Sequence, residues 1–208
     1  MSGEIGLFDA IYTQRAIRRL KPDPIPDDLI HKLIESATKA PSGTNRQPWK
    51  FIVVKDQVTK SNIAHYYKKT FDLVYGDKSS SPRPISSSMM KTGAHLAEHI
   101  QEAPIFIIVC ALHDGSPSSM DRGASIFPAV QNLLLTARGL GLGGVLTNNH
   151  KRYEDEVKQI LKIPANVETA ALVPIGYPDE GASYGPTRRS AVEEVTYWDT
   201  WGSVKPFR

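Results

Sequence analysis

The run from Ala124 to Arg138 (ASIFPAVQNLLLTAR) limits the possible folds of this chain more than any other stretch. It is apolar almost all round, and a helix of that kind has to be buried on most sides. In a chain of 208 residues, burial on that scale can require a second subunit. The run Ile105–Ala111 adds a second constraint. It is nearly all apolar, as expected of a central strand covered on both faces. The length suffices for one domain with a sizeable core, and neither an internal repeat nor a second domain is visible.

Around these two runs the chain alternates helical and extended patterns. A short helix is expected over Leu7–Thr13. An extended segment follows, Lys21-Pro22-Asp23-Pro24-Ile25-Pro26, fixed by three prolines. Asp27 and Asp28 open the next helix, with acid where the helix dipole favours it. Leu29, Ile30, Leu33, Ile34 and Ala37 give that helix one apolar face. A strand is expected at Phe51–Lys55 and a moderately polar helix at 56–75. Gly76 to Thr92 holds six serines and two prolines, a composition that cannot build a packed core, so it reads as a loop or lid. A helix near Ala94–Ala103 ends at Pro104. Further strands are expected at Gly144–Thr147 and Thr169–Ile175, with an amphipathic helix at Tyr153–Lys162 between them. The tail from Gly181 to Arg208 has no clear period but carries Trp198 and Trp201, as expected of an arm packed on a partner chain. Strands alternating with helices place the chain in the α/β or α+β class with a helix-covered sheet.

Composition removes several classes of function. The net charge is only +3 and the basic residues form no single run, so nucleic acid is not the expected partner. The one cysteine, Cys110, excludes an internal disulfide and an all-cysteine metal site, and fits a reducing compartment. The N-terminus lacks the basic and apolar regions of a signal peptide. No apolar run approaches the ~18 residues of a membrane span. The expected location is therefore the cytoplasm.

A binding function is read from Ala40-Pro41-Ser42-Gly43-Thr44-Asn45-Arg46-Gln47-Pro48-Trp49, between a helix and a strand. Pro41 stops the helix, Gly43 permits unusual backbone, and Ser42, Thr44, Asn45 and Gln47 offer hydroxyls and amides. Such a loop on a rigid frame can wrap a flat, polar heteroaromatic ligand. Arg15-Ala16-Ile17-Arg18-Arg19 and the distant Arg188-Arg189 carry guanidinium forks suited to phosphate. Leu146-Thr147-Asn148-Asn149 lies at a strand end, a common ligand position in α/β proteins. Gly139-Leu140-Gly141-Leu142-Gly143-Gly144 matches G-x-G-x-x-G, but a helix precedes it and a strand follows, the reverse of a dinucleotide fingerprint. It reads instead as a helix C-cap and tight turn. His95 and His99 flank Glu98 at helical spacing without a third ligand signal, so no metal is expected.

In their shared order these pieces resemble the FMN-dependent nitroreductase family over almost the full chain. The matches are Arg15-Ala16-Ile17-Arg18-Arg19, Asp23-Pro24-Ile25-Pro26 and the Ala40–Trp49 loop. Phe127-Pro128-Ala129-Val130-Gln131, Gly139–Gly144 and Pro174-Ile175-Gly176-Tyr177-Pro178 complete them. The resemblance implies an α+β, three-layer fold with a central mixed sheet covered by helices. It also implies one FMN-binding unit over 1–208, and an intertwined homodimer whose two sites each draw residues from both chains. Arg15 and Arg189, with Arg188 beside it, would hold the phosphate. Ala16 stands where the family often has Ser, so one hydroxyl contact is lost; Ile17 completes the motif. Arg18 or Arg19 would sit near the flavin pyrimidine. Pro41, Ser42 and Gly43 would line the ring, with Asn45 and Gln47 bonding its polar edge or bracing the loop. Leu146 and Thr147 would lie near flavin N5, and Pro128 and Ala129 would pack on the ring from the second subunit. Thr44 and Thr147 would stand closest to the chemistry.

The implied reaction is ping-pong hydride transfer through flavin N5, from NADH or NADPH to a nitroaromatic, quinone or similar electron-poor small molecule. An arginine near N1 and O2 would stabilise the reduced anion. Two alternatives share the cofactor: a module that stores or delivers FMN, and a reductive dehalogenase of halogenated tyrosines. The dehalogenases use Glu-x-x-x-Tyr and a lid lysine. Here the helix reads Phe71-Asp72-Leu73-Val74-Tyr75, and only Lys91 is available to mimic the lysine. A further alternative is a helical dimer scaffold without flavin.

Overall fold

The computed structural model describes residues 5–76 and 87–205. The expected first helix is α1 (Leu7–Thr13). Helix α2 (Asp27–Thr38) buries Ile30, Leu33 and Ala37, the stripe that its apolar spacing marks. Strand β1 (Trp49–Val54) follows the polar loop. Helix α3 (Gln57–Tyr75) starts where the Asp56 carboxylate accepts the Thr59 N–H at 2.7 Å.

The next helix, α4 (Ser87–His99), begins earlier than expected. Residues 77–86 of the expected lid lie outside the described residues, but 88–92 belong to α4 rather than to a loop. Helical packing overrides serine composition here. Leu96, Ala97 and Ile100 are buried against the sheet, and Gly93 lets Phe71 of α3 approach so closely that a Cβ would sit 3.2 Å from its ring.

Strand β2 (Ile105–Leu112) leads to α5 (Met120–Ala124), α6 (Phe127–Gly139), β3 (Gly143–Gly144), α7 (Glu154–Leu161) and β4 (Val167–Gly176). The sheet order is β1-β2-β4-β3. All three pairings are antiparallel among the described residues, where a mixed sheet was expected. Strand sense depends on which remote segments pair, and apolar alternation does not encode it.

The central strand β2 explains the three layers. Ile105, Ile107, Val109 and Ala111 join α2 and α6 in one core. Phe106, Ile108 and Cys110 point the other way, into a second core with α3 and α4. Both faces are covered, as the unbroken apolar run requires. Helix α6 finds its burial within the chain: Ala129, Val130, Leu133, Leu134 and Ala137 pack against α2 and the sheet. Its C-terminus turns at Gly141 (φ 73°), where the Leu142 N–H reaches back to the Ala137 carbonyl at 2.7 Å. The glycine run is thus a helix cap and turn. The tail is more open than an arm packed on its own chain, with Trp201 90% exposed.

A polar network ties α5, α7 and β4 to the turn after Thr147. Arg122 and Lys151 bond the Glu168 carboxylate at 2.7 and 3.0 Å. Glu154 accepts both the N–H and the hydroxyl of Thr169, so that hydroxyl accepts from Nε2 of the buried His150 at 3.0 Å. Burial pushes His150 down to about 4. Burial would raise Glu168, but bonds from Lys151, Arg122 and Ser118 outweigh it and hold the carboxyl at about 2. Both groups bind protons more tightly when unfolded, so both contribute stability at neutral pH that acid removes. The His150 part is lost from pH 6.5 toward 4, and the Glu168 part from 4.5 toward 2. Denaturant midpoints measured across pH should fall over both windows, and Glu168→Gln should weaken the dependence in the lower one, where Glu154, Asp56 and Asp114, also held below the usual carboxylate range, still contribute.

Candidate functional site

Two clefts bring together some of the residues singled out by the sequence, Arg18, Leu146 and Thr147 in one and Gly43 and Thr44 in the other. The first is built on the edge of the sheet. The Ile17 N–H donates to the Gly144 carbonyl at 3.0 Å and fastens the Arg15–Arg19 segment beside β3. Gly144 has no room for a side chain: a Cβ there would lie 2.6 Å from Ile175 Cδ1 and 2.8 Å from the Pro174 carbonyl. Two residues on from Val145, Thr147 forms a backbone bridge with Leu172, donating at 3.0 Å and accepting at 2.9 Å. Arg18, Leu146, Thr147, Asn148 and Asn149 line a cleft of about 220 Å³ with Tyr67, Phe71 and Tyr75 of α3 and Met89 and Met90 of α4. At its floor the hydroxyls of Thr147 and Tyr67 are hydrogen-bonded at 3.2 Å.

The C-terminal segment runs back along this edge. Lys21 N–H bonds the Tyr177 carbonyl at 2.8 Å, Asp179 N–H bonds the Arg19 carbonyl at 3.1 Å, and Gly185 N–H bonds the Thr13 carbonyl at 3.0 Å. Arg138 stacks over the Tyr184 ring, 4.1 Å from its centroid, and donates to Thr13 Oγ1 at 2.8 Å. Arg188 and Arg189 therefore leave the fold three residues after a contact that lies two residues before Arg15. Arg15, Arg19, Arg188 and Arg189 are exposed, and Arg18 is half-buried.

The second cleft, of about 690 Å³, is lined by Gly43, Thr44 and Arg46 of the loop, with Leu112, Arg122 and Ser125 opposite. The loop backbone is unusual. Thr44, Asn45 and Gln47 have φ of 50°, 54° and 49°, a left-handed region that non-glycine residues rarely occupy. Such outliers persist where surrounding bonds over-determine them, and they cluster at functional sites. Here the Gly43 N–H donates to Ser125 Oγ at 3.1 Å, the Gln47 N–H to Ser42 Oγ at 3.0 Å, and the Gln47 amide to Asn45 Oδ1 at 3.1 Å. Several N–H groups that looked free in the sequence are thus already used, and Asn45 with Gln47 braces the loop. Pro41, Gly43 and Thr44 stay exposed, and Ser42 is half-buried.

Sequence order and architecture together decide the family. The profile of the nitroreductase family matches residues 11–177, most of the chain. The chain belongs to the nitroreductase family. Among the relatives of this nitroreductase-family chain is the NADH dehydrogenase of Thermus thermophilus. It is 30% identical over 201 residues, 91% of this chain and 94% of that one. The iodotyrosine deiodinase of Thermotoga neapolitana is 28% identical over 193 residues, 92% and 98% of the two chains. A crystal structure of oxidized iodotyrosine deiodinase bound to FMN and 3-iodo-L-tyrosine shares the fold. Its TM-score is 0.74 at 23% identity, covering 94% of this chain and all of that one.

Within this family framework two residues expected at the cofactor take other roles. Ile17 is buried and serves as the fastening to β3. Ala129 is fully buried in the core against the sheet, so its side chain has no surface to offer a ring, whereas Pro128 beside it is half-buried. Tyr67 escaped the sequence reading, because in a helical pattern a tyrosine at a core position looks like packing. Its hydroxyl reveals itself only when Thr147, 80 residues away, is placed beside it. No described group of three or more His, Cys, Asp or Glu side chains is arranged to hold a metal, and no described helix is long and apolar enough to cross a membrane.

Proposed function

We propose that this chain is a cytoplasmic FMN-dependent NAD(P)H oxidoreductase that passes hydride to flat, electron-poor acceptors such as nitroaromatics and quinones, one FMN-binding unit per chain. The observation that carries the reading is the edge cleft, where a pinned hydroxyl (Thr147), a guanidinium (Arg18) and aromatic walls converge. The donor set suits a phosphorylated flavin. Arg15, with Arg188 and Arg189 approaching from the tail, supplies forks for a phosphate, and Arg18 supplies positive charge for a ring edge that becomes anionic. When bound, FMN supplies the hydride chemistry. The chain's own part is to hold the phosphate, stack the ring, and present the Thr147 hydroxyl and the Arg18 charge.

A homodimer accounts for two further features. The loop cleft and the edge cleft share no lining residue, so one chain does not gather Pro41–Gln47 and Arg15–Arg19 around one ligand. Exposed apolar side chains also cover α1 (Leu7, Phe8, Ile11, Tyr12) and the tail (Val192, Val195, Trp201), an extent that marks an interface. A second protomer that brings its loop over the first one's edge cleft satisfies both, with the tail as its clasp.

The decisive test is anaerobic addition of NADH or NADPH to the flavin-loaded protein. Bleaching of the flavin, followed by reoxidation on adding a nitro or quinone acceptor, is expected. Yellow protein that neither nucleotide bleaches would instead be a storage or delivery module. A dehalogenase reading gains from the deiodinase relatives, but Phe71 fills the helix position that would need a carboxylate, and its ring lies 4.9 Å from Tyr75. Halogenated tyrosines should therefore be poor acceptors beside nitroaromatics. Thr44, exposed on the strained loop, should tune that choice: Thr44→Leu is expected to change the ratio of kcat/KM between acceptors while FMN affinity stays level. Loss of flavin with unchanged ratios would remove Thr44 from the acceptor side.

A further inference from the structure

The C-terminal segment makes its last described backbone tie to the rest of the chain just before its two arginines. There the Gly185 N–H donates to the Thr13 carbonyl at 3.0 Å, with Gly185 at φ 141°, a conformation that L side chains rarely adopt. Beyond it the described backbone bonds stay within the tail, as from Glu194 to Ala191 and from Trp198 to Ser203. The tie fixes where Arg188 and Arg189 start, and Thr13 stands two residues before Arg15.

Two side chains grip that point. Arg138, in the last turn of α6, lays its guanidinium over the Tyr184 ring, 4.1 Å from the centroid. Its Nε donates to Thr13 Oγ1 at 2.8 Å, and the Thr13 hydroxyl gives its own proton to the Asp9 carbonyl at 2.5 Å. One guanidinium therefore holds the end of α1 and the start of the tail together. The Tyr184 hydroxyl is buried with no partner among the described residues, so the ring is held by its face and not by its tip.

Chain reach shows what the grip accomplishes. Arg189 lies four residues beyond Gly185, and four extended residues span at most about 14 Å. Without the grip, the next tie back is the bond from the Asp179 N–H to the Arg19 carbonyl, ten residues before Arg189. Effective concentration falls roughly as the −3/2 power of tether length, so this lengthening dilutes the tail arginines around Arg15 about fourfold.

We propose that Arg138 and Tyr184 are positioning residues, a latch that keeps Arg188 and Arg189 within reach of the phosphate that Arg15 binds. The inference rests on the reading of Arg15, Arg188 and Arg189 as phosphate ligands. Its consequence is selective: the latch favours FMN over riboflavin, which carries the same ring without the phosphate.

The test is titration of the flavin-free protein with FMN and with riboflavin, in Arg138→Met, in Tyr184→Leu, and in each combined with Arg188→Ala and Arg189→Ala. Tyr184→Leu removes the contact from the tail side, where no core is disturbed. Either latch variant should raise the Kd for FMN by roughly three- to thirtyfold, the range of a cation–π contact, and leave the Kd for riboflavin unchanged. Tyr184→Phe keeps the face and should retain the parental FMN affinity. Once Arg188 and Arg189 are alanine, the latch variants should have no further effect. Equal losses of FMN and riboflavin, additivity with the tail pair, or an unchanged FMN Kd in Tyr184→Leu would overturn the latch. If Arg188→Ala with Arg189→Ala, latch intact, leaves the preference for FMN over riboflavin untouched, the phosphate reading of the tail fails and the proposal fails with it.

Discussion

Arg15→Ala is expected to weaken FMN binding about ten- to hundredfold, with little change in the stability of the protein. The side chain is exposed, so its removal opens no cavity. The backbone around it is fixed by the Ile17–Gly144 bond rather than by the guanidinium. What is lost from the proposed site is a charge-assisted bond to a phosphate, worth roughly 1.5–3 kcal/mol. Each 1.4 kcal/mol is about tenfold in affinity, which sets the range. Arg15→Lys should recover part of the loss, because it keeps the charge but not the fork. Equilibrium dialysis reads the effect directly. Undiminished flavin content after exhaustive dialysis of Arg15→Ala would remove this residue from the phosphate site.

Gly144→Val should produce the largest loss of stability among substitutions near the site, on the order of 3 kcal/mol, the upper part of the usual cost of overpacking. The first added carbon meets Ile175 Cδ1 at 2.6 Å and the Pro174 carbonyl at 2.8 Å, and the carbonyl belongs to β4, a strand paired on both edges. Relief requires β3 to leave the sheet, which also releases the Ile17 anchor and the arginine segment attached to it. The denaturant midpoint and the flavin content should therefore fall together. Gly143→Ala is the comparison. Its added carbon meets Ile17 Cγ2 at 2.7 Å and Ile17 Cβ at 2.8 Å, so relief requires the segment around Ile17 to shift, which leaves the pairing of β4 intact. A smaller loss is expected there. A wild-type midpoint in Gly144→Val would mean that β3 is not held as tightly as the packing indicates.

Most of the layer structure was legible in the residues. The apolar stripe of α2 and the unbroken run of β2 each specify a covered face, and both faces are covered as specified. The arginine motif, the polar loop and the glycine turn were found because their residue types do chemistry that ordinary connections do not need. Three features were hidden. The start of α4 at Ser87 was masked by serine composition, because helix formation there depends on packing against α3. The antiparallel sheet was hidden because strand direction is a property of pairs. The contact between Tyr67 and Thr147 was hidden because a hydroxyl acquires a partner only when the chain is folded.

The sequence by itself determined which residues are apolar, where the chain turns, and which side chains can bind an anion or a flat ring. It also determined the family, since the order of motifs from Arg15 to Pro178 is a property of the chain as written. Only the tertiary structure decided which of those residues meet. It pinned Arg15–Arg19 to β3 and left the Ala40–Trp49 loop over a separate cleft. It withdrew Ile17 and Ala129 into the core and set Tyr67 beneath Thr147. The physical reason is the range of the forces. Helical periodicity, caps and turns act over a few residues and are written locally. A hydrogen bond across 80 residues, or a Cβ that has no room, exists only after the core has closed.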